Sequence, residues 1–152
     1  MKPPVLVEIG LIGTPDEPVR SALLPVLAEL NQTDWPLVLL AIRPDRWKPT
    51  RNSVDKAFMG QAAIESSIHR AGGALDAIIY LDFGLFSRQR QRDWMFGDLA
   101  DRYACRIDQM HAITRPGRIA ESLVSKVGSI AVLENPLKLE QDLRAFMDGK
   151  PG

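Results

Sequence analysis

Glu8 carries the most chemical information in the chain, as a lone carboxylate inside the apolar run Val5-Leu6-Val7-Glu8-Ile9 that leads into Gly10. Burying an isolated charge is costly, so such a carboxylate must be protonated, ion-paired or bound to a cation. Two readings stay open: Glu8 meets a metal or ligand at the strand's end, or it pairs with an Arg or Lys at the solvent rim. A second carboxylate, Asp98, follows Trp94-Met95-Phe96-Gly97. It reads equally as a ligand or as the cap of a following helix, since Gly-Asp commonly turns the chain and opens helices.

Positive charge forms the other signal. Arg43, Arg46, Lys48 and Arg51 follow one apolar run, and Arg88, Arg90 and Arg92 follow the next. Guanidinium groups bind phosphate or carboxylate through paired hydrogen bonds and an ammonium does so as a point charge, which makes Arg43, Arg46, Lys48, Arg88 and Arg90 anion-binding candidates. Trp47, between two cations, can stack on a base or sugar. The same arginines, alternating with Gln89 and Gln91 and diluted by Asp45 and Asp93, also fit a solvated face.

Other chemistries find little support. Cys105 is the single cysteine, and with only His69 and His111 there is no zinc-type cluster. Cys105 beside Arg106 fits either an activated thiol or a buried inert one. His69 sits near the end of a helical pattern, where it complements the helix dipole, and His111 has no acid or nucleophile near it in sequence. Gly10-x-x-Gly13 lacks the third glycine and the Lys-Ser/Thr of a phosphate loop.

The elements that must position these groups alternate between strand and helix patterns. Val5–Ile9, Leu37–Ile42 and Leu75–Leu81 read as buried strands, the second belonging in the sheet centre. Trp94–Phe96 reads as a short fourth strand and Ser129–Leu133 as a fifth. Helical spacing covers Pro18–Leu30, with a kink expected at Pro25. It covers a long helix capped by Ser53 and ending at Gly72-Gly73, with shorter helices at 99–106, 118–127 and 137–147. The order predicts a three-layer, Rossmann-like α/β fold with a central parallel sheet and its ligand site at the C-terminal ends of the strands.

A length of 152 residues suits one domain, with a core over about residues 5–148 and a frayed tail at 149–152. Hydrophobic residues at 45% and charged residues at 25% are ordinary for a globular chain. Lys plus Arg and Asp plus Glu both number 19, which argues against a dedicated nucleic-acid or membrane-surface binder. The lone cysteine and the short apolar start point to the cytoplasm, and nothing in the sequence fixes the oligomeric state.

With its strands in this order, the chain resembles the haloacid-dehalogenase-like superfamily, most nearly its small histidinol-phosphate and heptose-bisphosphate phosphatase branch, without a sizeable cap domain. Four stretches carry the likeness: Val5–Gly10, Leu37–Ile42, Ala71–Tyr80 and Trp94–Asp98. They stand where the family has a strand ending in Asp-x-Asp, a strand ending in Thr or Ser, the approach to the third strand, and a late strand ending in Gly-Asp. Tyr80-Leu81-Asp82-Phe83-Gly84-Leu85 looks like the first of these motifs but leaves too little chain after it.

The resemblance places Glu8 at the nucleophile position, Gly10 at the acid/base position and Ala41 at the phosphate-binding hydroxyl. It implies a magnesium ion, with Glu8 and Asp98 as its candidate ligands at neighbouring strand ends. The longer Glu8 side chain displaces the carboxylate by about 1 Å, while Gly10 and Ala41 offer no functional group at all. The expected function is therefore a catalytically degenerate protein that binds a phosphorylated ligand or a partner protein without turnover. The alternatives are a magnesium-dependent phosphomonoester hydrolase with a non-standard site, and a structural α/β interaction module.

Overall fold

Short, largely apolar runs form strands that can be covered on both faces, and five strands build the sheet. They are β1 (Val5–Glu8), β2 (Leu37–Ile42), β3 (Ala77–Leu81), β4 (His111–Thr114) and β5 (Ser129–Val132). All neighbours pair in parallel, in the order β3-β2-β1-β4-β5. The helices are α1 (Leu23–Gln32), α2 (Arg51–Arg70), α3 (Gln89–Arg102), α4 (Arg118–Leu123) and α5 (Leu139–Met147). The computed structural model describes residues 2–13, 19–42, 51–83 and 89–149, without the side chains of 51–58 and 89.

Two-residue alternation along each strand sorts the core into two halves. Val5, Val7, Leu37, Leu39 and Ile113 pack against α1, α2 and α5 through Leu27, Leu30, Ile64, Ile68 and Leu143. Leu6, Val38, Leu40 and Ala112 pack against α3 and α4 through Phe96, Leu99, Ile119 and Leu123. The result is the three-layer α/β arrangement expected from the sequence.

Several elements depart from expectation. Trp94–Phe96 is not a strand but part of α3, which also absorbs the separate helix expected from Leu99 and stops at Arg102. The cause is spacing: Phe96, Leu99 and Ala100 recur at three and four residues, and all three are buried on one helical face. The fourth strand is instead His111–Thr114, and β1 rather than β2 takes the sheet centre. Helix α1 begins at Leu23, so Pro25 falls in its first turn, where a missing N–H costs nothing. Helix α2 begins at Arg51, which puts Ser53 inside the helix rather than at its cap.

The end of α2 falls at the expected glycines. Gly72, at φ 89°, donates to the His69 carbonyl and Gly73 to that of Ile68, both at 3.0 Å. These two bonds close the last turn in the left-handed motif that favours glycine.

Candidate functional site

Glu8 is the last residue of the central strand, and alternation points its side chain to the α3/α4 side of the sheet, as with Leu6. Its register partner on β2 is Leu40. On the other flank β4 ends at Thr114, and the backbone N–H of the next residue, Arg115, donates to Glu8 Oε1 at 3.2 Å. The carboxylate is half-buried. Burial pushes its pKa above the usual 4.5, while the Arg115 hydrogen bond and charge pull in the opposite direction.

Gly10 sits at the focus of this arrangement. A Cβ placed there would lie 3.6 Å from Arg115 Cδ, 3.7 Å from Arg115 Nη1 and 3.9 Å from Glu8 Oε2. The guanidinium thus lies over the glycine beside the carboxylate. Thr114 is fully buried, and its hydroxyl has no hydrogen-bond partner among the described residues. Ala41, one residue beyond the partner of Glu8, is 6% exposed and presents only a methyl group. Its side chain cannot hydrogen-bond a phosphate.

The second carboxylate is elsewhere. Asp98 lies in the third turn of α3, not at a strand end, and pairs with Arg102 one turn on at 3.3 Å. It lines a groove along β3, which is separated from β1 by the whole of β2. At about 4.8 Å per strand that places the two elements some 10 Å apart. The late strand beside β1 ends not in Gly-Asp but in Thr114-Arg115, a hydroxyl and a cation.

The magnesium ion implied by the resemblance fits this donor set poorly. A divalent cation wants several oxygen ligands, yet the nearest charge to Glu8 is a guanidinium, and no three His, Cys, Asp or Glu side chains gather around a common point among the described residues. What the arrangement can do is attract an anion: Arg115 is exposed, and the opening turn of α3 brings Arg90, also exposed, to the same edge of the sheet. Arg43, Arg46, Lys48 and Arg88 lie outside the described residues. Arg92 is engaged locally, donating to the Asp82 carbonyl at 2.8 Å with its guanidinium 4.5 Å over the Phe83 ring.

The remaining sequence candidates play other parts. Burial raises the Cys105 thiol pKa, away from an activated thiolate. His69 lies in the last turn of α2. His111, without partners near it in sequence, acquires them in space: Nδ1 is 2.6 Å from Ser129 Oγ, Nε2 is 3.8 Å from Asp142, and the ring stacks on Phe146 at 4.5 Å. This group lies at the N-terminal ends of the strands, opposite Glu8, where it ties α5 to the sheet. The signal missed in sequence was Arg115, a single basic residue whose role depends on β4 lying beside β1.

No protein-family model and no curated protein matches the chain. Solved structures do. The D,D-heptose 1,7-bisphosphate phosphatase of B. bronchiseptica, solved with magnesium and phosphate, superposes with a TM-score of 0.66 at 15% identity, over 96% of this chain and 99% of that one. The fold is haloacid-dehalogenase-like. The corresponding phosphatase of Burkholderia thailandensis superposes with a TM-score of 0.55 at 12% identity, over 95% of this chain and 99% of that one. The haloacid-dehalogenase-like core is thus present nearly end to end, and among the described residues no helix is long and apolar enough to cross a membrane.

Proposed function

We propose that this chain is a catalytically degenerate haloacid-dehalogenase-like protein that binds a phosphorylated small molecule at the C-terminal edge of its sheet without hydrolysing it. The observation that carries the reading is the Arg115 guanidinium lying over Gly10 beside Glu8. A cation there can hold an anion directly, as a metal-bridged site otherwise would. Hydrolysis, by contrast, needs a proton donor and a phosphate-binding hydroxyl in register with the nucleophile, and Gly10 and Ala41 supply neither. Arg90 adds charge at the same edge, and Arg43, Arg46, Lys48 and Arg88 follow β2 and β3 in sequence.

The test is thermal denaturation with inorganic phosphate and a panel of phosphomonoesters, in EDTA and in magnesium, alongside phosphate-release assays. A ligand selective for the folded state raises its melting temperature, by about 2.7 kcal/mol of stability at a hundred times Kd. The expected result is stabilisation that survives EDTA, disappears in Arg115→Ala, and comes with no turnover. Magnesium-dependent phosphate release abolished by Glu8→Gln would replace this reading with that of a phosphohydrolase with a non-standard site.

A further inference from the structure

The free edge of β3 and the groove beside it point to a second surface, unrelated to the anion site. Strand order leaves β3 without an outer neighbour among the described residues. Its sequence, Ala77-Ile78-Ile79-Tyr80-Leu81, contains neither charge nor proline, two of the usual devices that keep an edge strand from pairing. A groove of 410 Å³ runs along it, lined by Ala77, Ile79, Trp94, Met95, Asp98 and Arg102. Trp94 on α3, in the lining of this groove, is 71% exposed. A large aromatic side chain thus stands in solvent beside an edge that has no neighbour among the described residues.

We propose that this face binds a second copy of the chain, with the two β3 strands pairing antiparallel across a two-fold axis to make one continuous sheet. The groove's polarity favours that occupant. Helix α3 runs back along β3, so Trp94 lies beside the strand's C-terminal half and Arg102 beside its start. Tyr103 fixes that end by donating to Asp76 at 3.0 Å. A two-fold axis exchanges the ends, bringing Trp94 of each copy to the Asp98–Arg102 pair of the other and a guanidinium to each indole face. The groove carries one acid and one base, and the whole chain has equal numbers of acidic and basic residues, so no net repulsion opposes the pairing.

Sedimentation of the full chain across a concentration series tests the proposal, with circular dichroism confirming that each variant folds. Wild type is expected to sediment at twice the 16.9 kDa chain mass at micromolar concentration. Trp94→Lys replaces an exposed residue, spares the core, and sets a cation against Arg102 of the other copy. It should weaken association about thirtyfold or more, as loss of a central aromatic contact does. Adding Arg102→Glu to Trp94→Lys recreates an opposite-charge pair across the axis and should restore the dimer. A monomeric wild type overturns the proposal, as does a dimer indifferent to Trp94→Lys, which would have to use another surface such as β5. Failure of the double variant to recover association overturns the antiparallel pairing.

Discussion

The backbone N–H of Arg115 donates to Glu8 Oε1 at 3.2 Å across the junction of β1 and β4, and the same residue's side chain arches over Gly10. One residue after the fourth strand therefore supplies both a hydrogen bond and a positive charge to the carboxylate that ends the central strand. Together they keep a half-buried carboxylate from being an isolated charge. The same placement leaves the guanidinium exposed to incoming anions.

The balance at Glu8 predicts a pH-dependent effect of neutralising it. Burial, the largest influence, raises the folded-state pKa above 4.5, and the Arg115 hydrogen bond and charge only partly offset it. The folded state thus holds this proton more tightly than the unfolded chain does. Its contribution to stability is complete well below pH 4.5 and is lost as pH rises through the folded value. Glu8→Gln removes the charge but keeps an oxygen able to accept from Arg115. Its melting temperature should match wild type in acid and exceed it at neutral pH; a variant less stable than wild type at neutral pH contradicts the balance described here.

Gly97 gives a direct check on α3. In a strand-to-turn setting this glycine would be needed, but in the structure it lies exposed within a helix, with nothing within 4 Å of an added Cβ. Gly97→Ala should therefore stabilise the protein by about 0.5–1 kcal/mol in urea denaturation, by lowering the entropy of the unfolded chain and improving helix propensity. Its neighbour Phe96 is fully buried against both the sheet and α4. Phe96→Ala should cost about 3–5 kcal/mol. Opposite signs at adjacent positions follow from the helix and not from a strand ending in a turn.

How much of this was legible in the sequence differs by element. Strand β2 is an uninterrupted aliphatic run whose bounds follow from composition, while β1 is aliphatic up to Glu8 and stops there, one residue before Ile9. The segment 94–98 misleads because three consecutive bulky residues look like a strand, whereas the deciding spacing runs on through Leu99 and Ala100 into residues that resemble a separate helix. Strand β4 is hard to see because His111 and Thr114 dilute a four-residue segment, and it is held by pairing on both sides rather than by its own pattern. Glu8, Gly10 and Ala41 stand out as residues. Their partner Arg115 does not, since sheet order alone brings residue 115 to residue 8.

Gly128 enters β5 against the backbone of the turn before β4. Its N–H donates to the Met110 carbonyl at 3.0 Å, and a Cβ there would sit 2.1 Å from the Asp108 carbonyl oxygen. That atom belongs to the main chain and cannot swing aside. Gly128→Ala should destabilise the protein by about 1–3 kcal/mol, the usual range for forced overpacking, with the loss read from the denaturant midpoint. An alanine tolerated without loss would mean that the approach of these two backbone segments is looser than described.

Tyr103 provides an alkaline counterpart to Glu8. Burial, the hydrogen bond to Asp76 and the charge of Asp76 raise its phenol to about 12, against a smaller opposing effect of Arg102. A near-ultraviolet absorbance titration followed alongside circular dichroism should show this phenol ionising at about 12 rather than 10 while the fold persists. Asp76→Asn removes the charge but leaves burial in place, so the step should move down toward 10 without reaching it. Because the folded value is raised, the stabilisation linked to this proton is complete below pH 10 and disappears as pH climbs through about 12. Asp76→Asn should flatten that alkaline loss. An unchanged titration in the variant would show that burial alone holds the proton and that the Tyr103–Asp76 bond adds nothing to anchoring the end of α3 beside β3.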